Sequence, residues 1–355
     1  MEDIARLAGV SKSAVSLALN GKPGISPETR QRILQIAKEH NYQLKARSSD
    51  SDARTKSLTF LVFVNSGIVL EQYYQQPFFR ELIYHIEERC RHHGCSLLFS
   101  TVDMSHFERD LSALAKMSPN DGVILLGTNL DREQIAAVAA RLPASLVVLD
   151  TCCDTLPLHF VEINNIMGAY QAGIHLCELG HERIGYIASN VRIHNFDERM
   201  TGFRTALREK GRALDERLVF SVAPTILSSQ DALKDQLQAF LAAGHQLPTA
   251  FFCECDYIAI SAIKTLTELG YRIPDDVSVV GFDNISEAII VSPELTTVHV
   301  DKERLARLAV DLAIESIHSE HRVKSKIKVD TEFVARLSSA PPLAAAAERN
   351  GRSGC

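Results

Sequence analysis

The 355-residue chain lacks any apolar run long enough to cross a membrane, and its first residues lack the basic-then-apolar signature of a secretory signal. A membrane-bound or secreted protein is therefore not expected, and a cytoplasmic one is. Its eight cysteines, at 90, 95, 152, 153, 177, 253, 255 and 355, include no CxxC pair. In a reducing compartment they read as free thiols. Cys253-x-Cys255 and the Cys152-Cys153 pair have no second Cys or His pair at zinc spacing, so burial at strand ends is favoured, and neither metal nor cofactor is expected. Also missing are a G-x-S-x-G elbow, a G-x-x-x-x-G-K-[ST] phosphate loop, a G-x-G-x-x-G fingerprint and an H-E-x-x-H helix. Without them an enzyme on a doubly wound sheet is poorly supported, and no catalytic residue is assigned. The histidines are scattered, and His92, His93 and His181 fall at helix ends where a cation is favourable.

What is there divides by charge. Residues 1–47 hold eight Lys or Arg against four Asp or Glu, a net +4 in a chain of net −6, which leaves −10 for the rest. The positive end is the nucleic-acid end. Its first 42 residues read as three short helices. Ile4, Leu7 and Ala8 make one apolar stripe that Gly9 ends; Ser11 caps a second helix with Val15, Ala18 and Leu19 on its stripe and Asn20-Gly21 as its stop. The third opens with Ser26 as N-cap and Pro27 at its first position and buries Ile33, Ile36 and Ala37. With its stripe buried, the second helix shows Lys12, Ser13, Ala14, Ser16 and Leu17 outward near an N-terminus whose free N–H groups attract phosphate. A recognition helix meets the major groove in this way, although a three-helix protein-binding module has the same pattern.

From Leu58 the pattern changes to short apolar runs alternating with helical stripes. LTFLVFV, SLLFS, GVILL and SLVVL make one series; RIGYIAS, LVFSV, TAFFC and VSVVGF make a second. Repeated βα units imply parallel, doubly wound sheets, here two similar lobes with a ligand cleft at their strand ends. PELTTVHVD with the Lys302–Ser319 helix and KIKVDTEFVARLS would cross between the lobes as a hinge. QLKARSSDSDARTKS, Gln43 to Ser57, is polar enough to be a linker, and AAAAERNGRSGC, without a leucine heptad, a frayed tail.

The string DIARLAGVSKSAVSLALNGKPGISPETRQRIL resembles the helix-turn-helix of the lac-repressor (LacI/GalR) family of bacterial transcription regulators. The blocks QPFFRELIYHIEE, NNIMGAYQAGIHLCELGHERIGYIAS, ERMTGFRTALREKG, DYIAISAIKTLTELGYRIPDDVSVVGFDN and LTTV extend that resemblance, and a likeness to the periplasmic sugar-binding fold, over nearly the whole chain. A sugar transport receptor would share this body but not the DNA-reading head. The resemblance implies a head at 1–43, a hinge at 44–57, a two-lobed effector-binding and dimerisation domain at 58–340, and a disordered tail at 341–355. Within the body the N-lobe would take about 58–160 plus 291–325 and the C-lobe about 161–290 plus 326–340.

By motif, Lys12, Ser13, Ala14 and Leu17 face base edges, with Leu17 placed for a thymine methyl, and Ser11, Ser16, Asn20, Ser26 and Thr29 hold phosphates. Ala14 and Leu17 depart from the family's usual Thr and Arg, so two customary polar contacts are absent. In the hinge the family's minor-groove leucine is Ser51 or Ala53 and its proline is Leu44, so the wedge is missing or weakened and the operator is bent less. The implied effector contacts are Phe79, Asp150, Arg199 and Asp283. An arginine fork and two carboxylates suit a sugar's hydroxyls while Phe79 stacks on a flat face. Each has a plainer reading: Asp150 and Asp283 as helix caps, Arg199 as a surface residue. Cys255 stands where the family has an effector-contacting Asn, and neither gives nor takes an amide's hydrogen bonds; Asn164 replaces an Asp and keeps its capping ability. The aromatic cluster of Tyr73, Tyr74, Phe78 and Phe79 leaves a purine or nucleoside open, and an oligosaccharide too. The expected partners are operator DNA, a small-molecule effector and a second copy in a homodimer, with effector and DNA affinities reciprocally linked.

Overall fold

A computed structural model describes residues 2–19, 24–39, 57–65, 67–107, 109, 122–142, 145–318 and 323–343. The chain divides into two units, Met1–Thr55 and Lys56–Cys355. Among the described residues no helix is long and apolar enough to cross a membrane.

The head is three helices: α1 (Glu2–Ala8), α2 (Lys12–Leu19) and α3 (Pro27–Glu39). Ser11 Oγ accepts from Ala14 N at 3.2 Å and Ser26 Oγ from Thr29 N at 3.2 Å, each satisfying a helix-start N–H. Ala5, Ala8, Val15, Ala18, Ile33 and Ala37 form its core, with Ile36 packed against it. Leu7, expected on the buried stripe, is 51% exposed. A seven-residue helix turns one narrow face inward, and the small Ala5 and Ala8 take it. The stop at Asn20-Gly21, the hinge positions Leu44, Ser51 and Ala53, and residues 344–355 lie outside the described residues.

In the body, β1 (Ser57–Val64), β2 (Ser96–Asp103), β3 (Gly122–Leu126), β4 (Ser145–Leu149), β5 (His159–Ile163) and β11 (Lys326–Val329) form one parallel sheet in the order β11-β5-β4-β3-β1-β2. β1, SLTFLVFV, is buried at seven consecutive positions, as a parallel strand covered on both faces must be. Helices α4 (Pro77–His92), α5 (Arg132–Arg141) and α10 (Lys302–His318) belong to this lobe, α4 and α10 packing together. The second sheet runs β7 (Val219–Val222), β6 (Ile184–Ser189), β8 (Ala250–Cys253), β9 (Ser278–Val280), all parallel. With it are α6 (Asn165–Leu179), α7 (His194–Glu209), α8 (Ile226–Ala242) and α9 (Asp256–Glu268). α6 and α7 approach closely because Gly202 has no side chain: a Cβ there would meet the carbonyl of Ile166.

The crossings differ from expectation. β10 (Thr297–His299) pairs with β12 (Glu332–Val334), and bridges Val280–Thr296 and Asp283–His299 join it to the second sheet, so the stretch before Val300 is not in the first lobe. Conversely Lys326–Val329 pairs in parallel with Phe160–Ile163 and is in the first lobe. Three strands thus pass between the lobes, near Asn164, Val300 and Asp330. The apolar pattern marks these short segments as strands but carries no signal of which sheet they join.

Candidate functional site

The strand ends of both sheets face one cavity, with about 400 Å³ of atom-free space partly open to solvent. It brings together all five residues expected at an effector site, Phe79, Asp150, Arg199, Cys255 and Asp283. Each arrives by a different element: Phe79 near the start of α4, Asp150 just after β4, Arg199 within α7, Cys255 before α9, and Asp283 after β9.

Arg199 is 3% exposed, not a surface residue. Its Nε donates to Asn165 Oδ1 at 2.9 Å, Nη1 to the Glu254 carbonyl at 2.6 Å and Nη2 to Asp283 Oδ1 at 3.0 Å, while the guanidinium lies 3.7 Å from the Phe282 ring centroid. Three of five N–H groups are therefore spent on the protein, and the fork has two left. Asp283 and Asp150 both adopt left-handed backbone, φ 115° and 68°, costly for side-chain-bearing residues and typical of functional strand ends. Neither caps a helix. Asp150 Oδ2 accepts from Thr128 Oγ1 at 2.5 Å and Oδ1 from Asn195 Nδ2 at 3.0 Å. Burial pushes its carboxyl up to about 6, against the pull of Thr128, Arg199 and Asn195. Asp283 is raised by burial too, with Arg199 and Lys302 opposing.

Cys255 is 3% exposed, and burial holds its thiol in the protonated state at neutral pH. It contributes a small apolar wall. Phe79 packs edge-on against Phe78, their centroids 5.4 Å apart, and against Tyr73 at 6.4 Å. Tyr73 is buried and Tyr74 exposed, and neither lines the cavity, so only the Phe pair of the aromatic cluster reaches it. Asn164 Oδ1 accepts from Met167 N at 3.2 Å and so caps α6.

Several cavity residues were not singled out from the sequence: Thr128, Asn195, Phe196 and Tyr257, whose hydroxyl accepts from Phe78 N at 3.1 Å. Asn195 was findable, because it lies four residues before Arg199 on one helix. Lys302 was not. It is 4% exposed, donates from Nζ to the carbonyls of Asp283 and Val300 at 3.1 and 3.4 Å, and pairs with Glu81 at 3.2 Å. Among the described residues, the one group of three His, Cys, Asp or Glu side chains with converging ligand atoms is Glu162, His194 and Glu198, outside this cavity's lining.

In the head, Lys12 and Ser13 are exposed and Ala14, Ser16 and Leu17 half-buried. Leu17 also packs beside Gly24. Arg30 Nη1 reaches the Leu17 and Ala18 carbonyls at 3.3 and 3.4 Å, tying α3 to the end of α2. Ser11 and Ser26 use oxygen lone pairs as caps, which leaves the Ser11 hydroxyl hydrogen for another acceptor. Thr29 Oγ1 lies 2.9 Å from Ser26 Oγ, and Asn20 is outside the described residues.

Residues 1–44 match the family described as bacterial regulatory proteins, lacI family, and residues 174–339 match the periplasmic binding protein-like domain. Over 342 residues the chain is 30% identical to an HTH-type transcriptional repressor PurR of Mannheimia succiniciproducens, covering 95% of this chain and 98% of that one. Among solved structures it resembles a transcriptional regulator CelR–cellobiose complex, with TM-score 0.71 and 27% identity over 95% of this chain and 98% of that one. A lac repressor dimer bound to operator and an anti-inducer, at 23% identity, TM-score 0.69 and the same coverages, shares the fold.

Proposed function

Because the chain belongs to the lacI family of bacterial regulatory proteins, and is a DNA-binding transcriptional repressor rather than an enzyme, we propose that it acts as a homodimer whose hold on a near-palindromic operator is set by a sugar bound in the interlobe cavity. The carrying observation is the ring of Asp150, Asn195, Arg199 and Asp283 around one apolar-walled space. Carboxylates, an amide and a guanidinium can serve hydroxyls from several sides, and the Phe78, Phe79 and Phe196 rings cover a flat ligand face. The CelR relative's cellobiose complex agrees with this class.

A second reading is a purine or nucleoside. It is favoured by the three Phe rings and by Cys255, which offers no amide to a sugar hydroxyl, and a PurR repressor is among the relatives. A hydroxyl left unpaired there would cost about 1–3 kcal/mol.

In the head, Lys12, Ser13, Ala14 and Leu17 read base edges, and Ser11, Ser16, Asn20, Ser26 and Thr29 position the phosphates. Dimerisation is supported by β2, an edge strand with Leu98 and Phe99 each 53% exposed, which water alone would not favour. The cytoplasm is the matching location. The experiment is titration of the full chain against a labelled palindromic operator at two salt concentrations, with and without sugars, purines and nucleosides. Specific, salt-sensitive binding shifted by a sugar supports the first reading, and a shift by a purine alone supports the second. Specific binding that no ligand alters overturns both.

A further inference from the structure

Glu162 lies on β5 of the first lobe and His194 and Glu198 on α7 of the second. Lys328, on the neighbouring strand β11, sits between the two carboxylates and takes one oxygen of each: Glu162 Oε1 at 3.4 Å and Glu198 Oε1 at 2.9 Å. Glu162 Oε2 and Glu198 Oε2 are both buried and without a hydrogen-bond partner. They lie 3.4 and 3.8 Å from His194 Nε2, and the three residues each offer a ligand atom within 4.8 Å of the others. Glu162 as a residue is 5% exposed.

Buried carboxylate oxygens without donors are costly, so two of them aimed at one imidazole nitrogen call for an occupant. A tetrahedral ion with bonds of roughly 2.0–2.1 Å needs ligand atoms about 3.3–3.4 Å apart; the 3.4 Å spacing of His194 to Glu162 meets this, and the 3.8 Å spacing to Glu198 would have to close slightly. From this geometry we propose that Glu162, His194 and Glu198 form a binding site for a first-row divalent cation such as zinc. Imidazole and carboxylate are ligands that such an ion accepts. Lys328 fixes both carboxylates through their outer oxygens and moderates affinity by its own charge. The His194 side chain is 38% exposed, which gives the ion a path in and leaves room for a water as fourth ligand. Because the ligands come from both lobes, the ion holds β5 and α7 together.

The competitor is a proton on His194 Nε2, which would sit against the same two carboxylate oxygens. Metal uptake therefore displaces that proton and weakens as pH falls. The test is calorimetric titration of the full, reduced chain with zinc chloride, beside the His194→Ala and Glu198→Gln variants, all shown to be folded by their melting curves. Expected is one zinc equivalent whose affinity drops at least tenfold in each variant. Cobalt(II) occupying that equivalent should show no thiolate charge-transfer band, because no cysteine contributes. The proposal is overturned if wild type binds no zinc, if the variants bind it as tightly as wild type, or if the thiolate band accompanies the equivalent that His194→Ala removes.

Discussion

Asn195 on α7 donates to Asp150 at the end of β4 over 3.0 Å, one hydrogen bond that spans the two lobes at the cavity wall. The carboxylate receiving it is buried and held up at about 6. Its folded pKa exceeds the unfolded value, so its stability contribution is fully present below about 3.8 and is lost as pH rises through 6. At neutral pH the ionised group is a cost to the fold. Asp150→Asn keeps an acceptor oxygen for Asn195 and turns an N–H to Thr128 Oγ1, which then accepts where it now donates, and Asn tolerates the left-handed backbone. We expect it to melt higher than wild type, by roughly 1–3 kcal/mol of stability, and to bind effector at least about tenfold more weakly. Differential scanning calorimetry and ligand titration check this; a variant that is both less stable and equally tight would contradict it.

Lys302 fastens the Asp283 turn to the start of α10 through the Asp283 and Val300 carbonyls, with Glu81 as counter-ion. Lys302→Met fills similar volume but takes the ammonium away from the buried Asp283 carbonyl and from Glu81, while the Val300 carbonyl keeps the backbone N–H of residue 302. Stability should fall by about 3 kcal/mol, read as a lower urea midpoint at unchanged slope. A change within 0.5 kcal/mol would mean that water replaces the ammonium there.

The difference between Arg199 and Lys302 marks what the sequence carries. Arg199 was found because it precedes a Gly-Phe pair in a family motif, and Asp283 because it sits in GFDN; both signals are local strings. Lys302 reads in the sequence only as a cation at a helix start, where the dipole gives it no favourable role, and only the crossing of the chain at Val300 puts it beneath Asp283. The strands were legible in apolar runs such as SLTFLVFV, and the head's caps in Ser11 and Ser26. Sheet membership of Lys326–Val329 was not, since its half-exposed KIKV pattern suits an edge of either sheet. Leu7 misled because a helical stripe fixes spacing and not which of two neighbouring faces a short helix buries.

Leu98 on the edge strand β2 projects away from the core, whereas neighbouring Phe99 packs its ring edge-on to Phe60 at 6.1 Å. Leu98→Glu therefore tests the dimer without disturbing the sheet. Light scattering at micromolar concentration should report a dimer for wild type and a monomer for the variant, with a melting point nearly unchanged and operator affinity reduced. If the variant remains dimeric, the partner copy uses another face; Ile289 and Ile290, 58% and 76% exposed, are the next apolar pair.

His181 was expected to act as a helix-end cation, but it is 1% exposed, with Nδ1 2.9 Å from Thr249 Oγ1 and Nε2 3.0 Å from the Ala340 carbonyl. Burial lowers its pKa to about 4, so the neutral ring is the native form. A base depressed on folding contributes stability that is present above its unfolded value near 6.5 and disappears as pH falls towards 4. Protonation would thus cost the fold roughly 2–3 kcal/mol across that window. His181→Asn removes the titrating group while retaining polar atoms for Thr249 and Ala340. Measured by thermal melting at pH 7 and pH 4.5, the variant should start below wild type and lose less on acidification, so that the gap narrows. Parallel losses in the two proteins would show that the ring carries no part of the acid sensitivity.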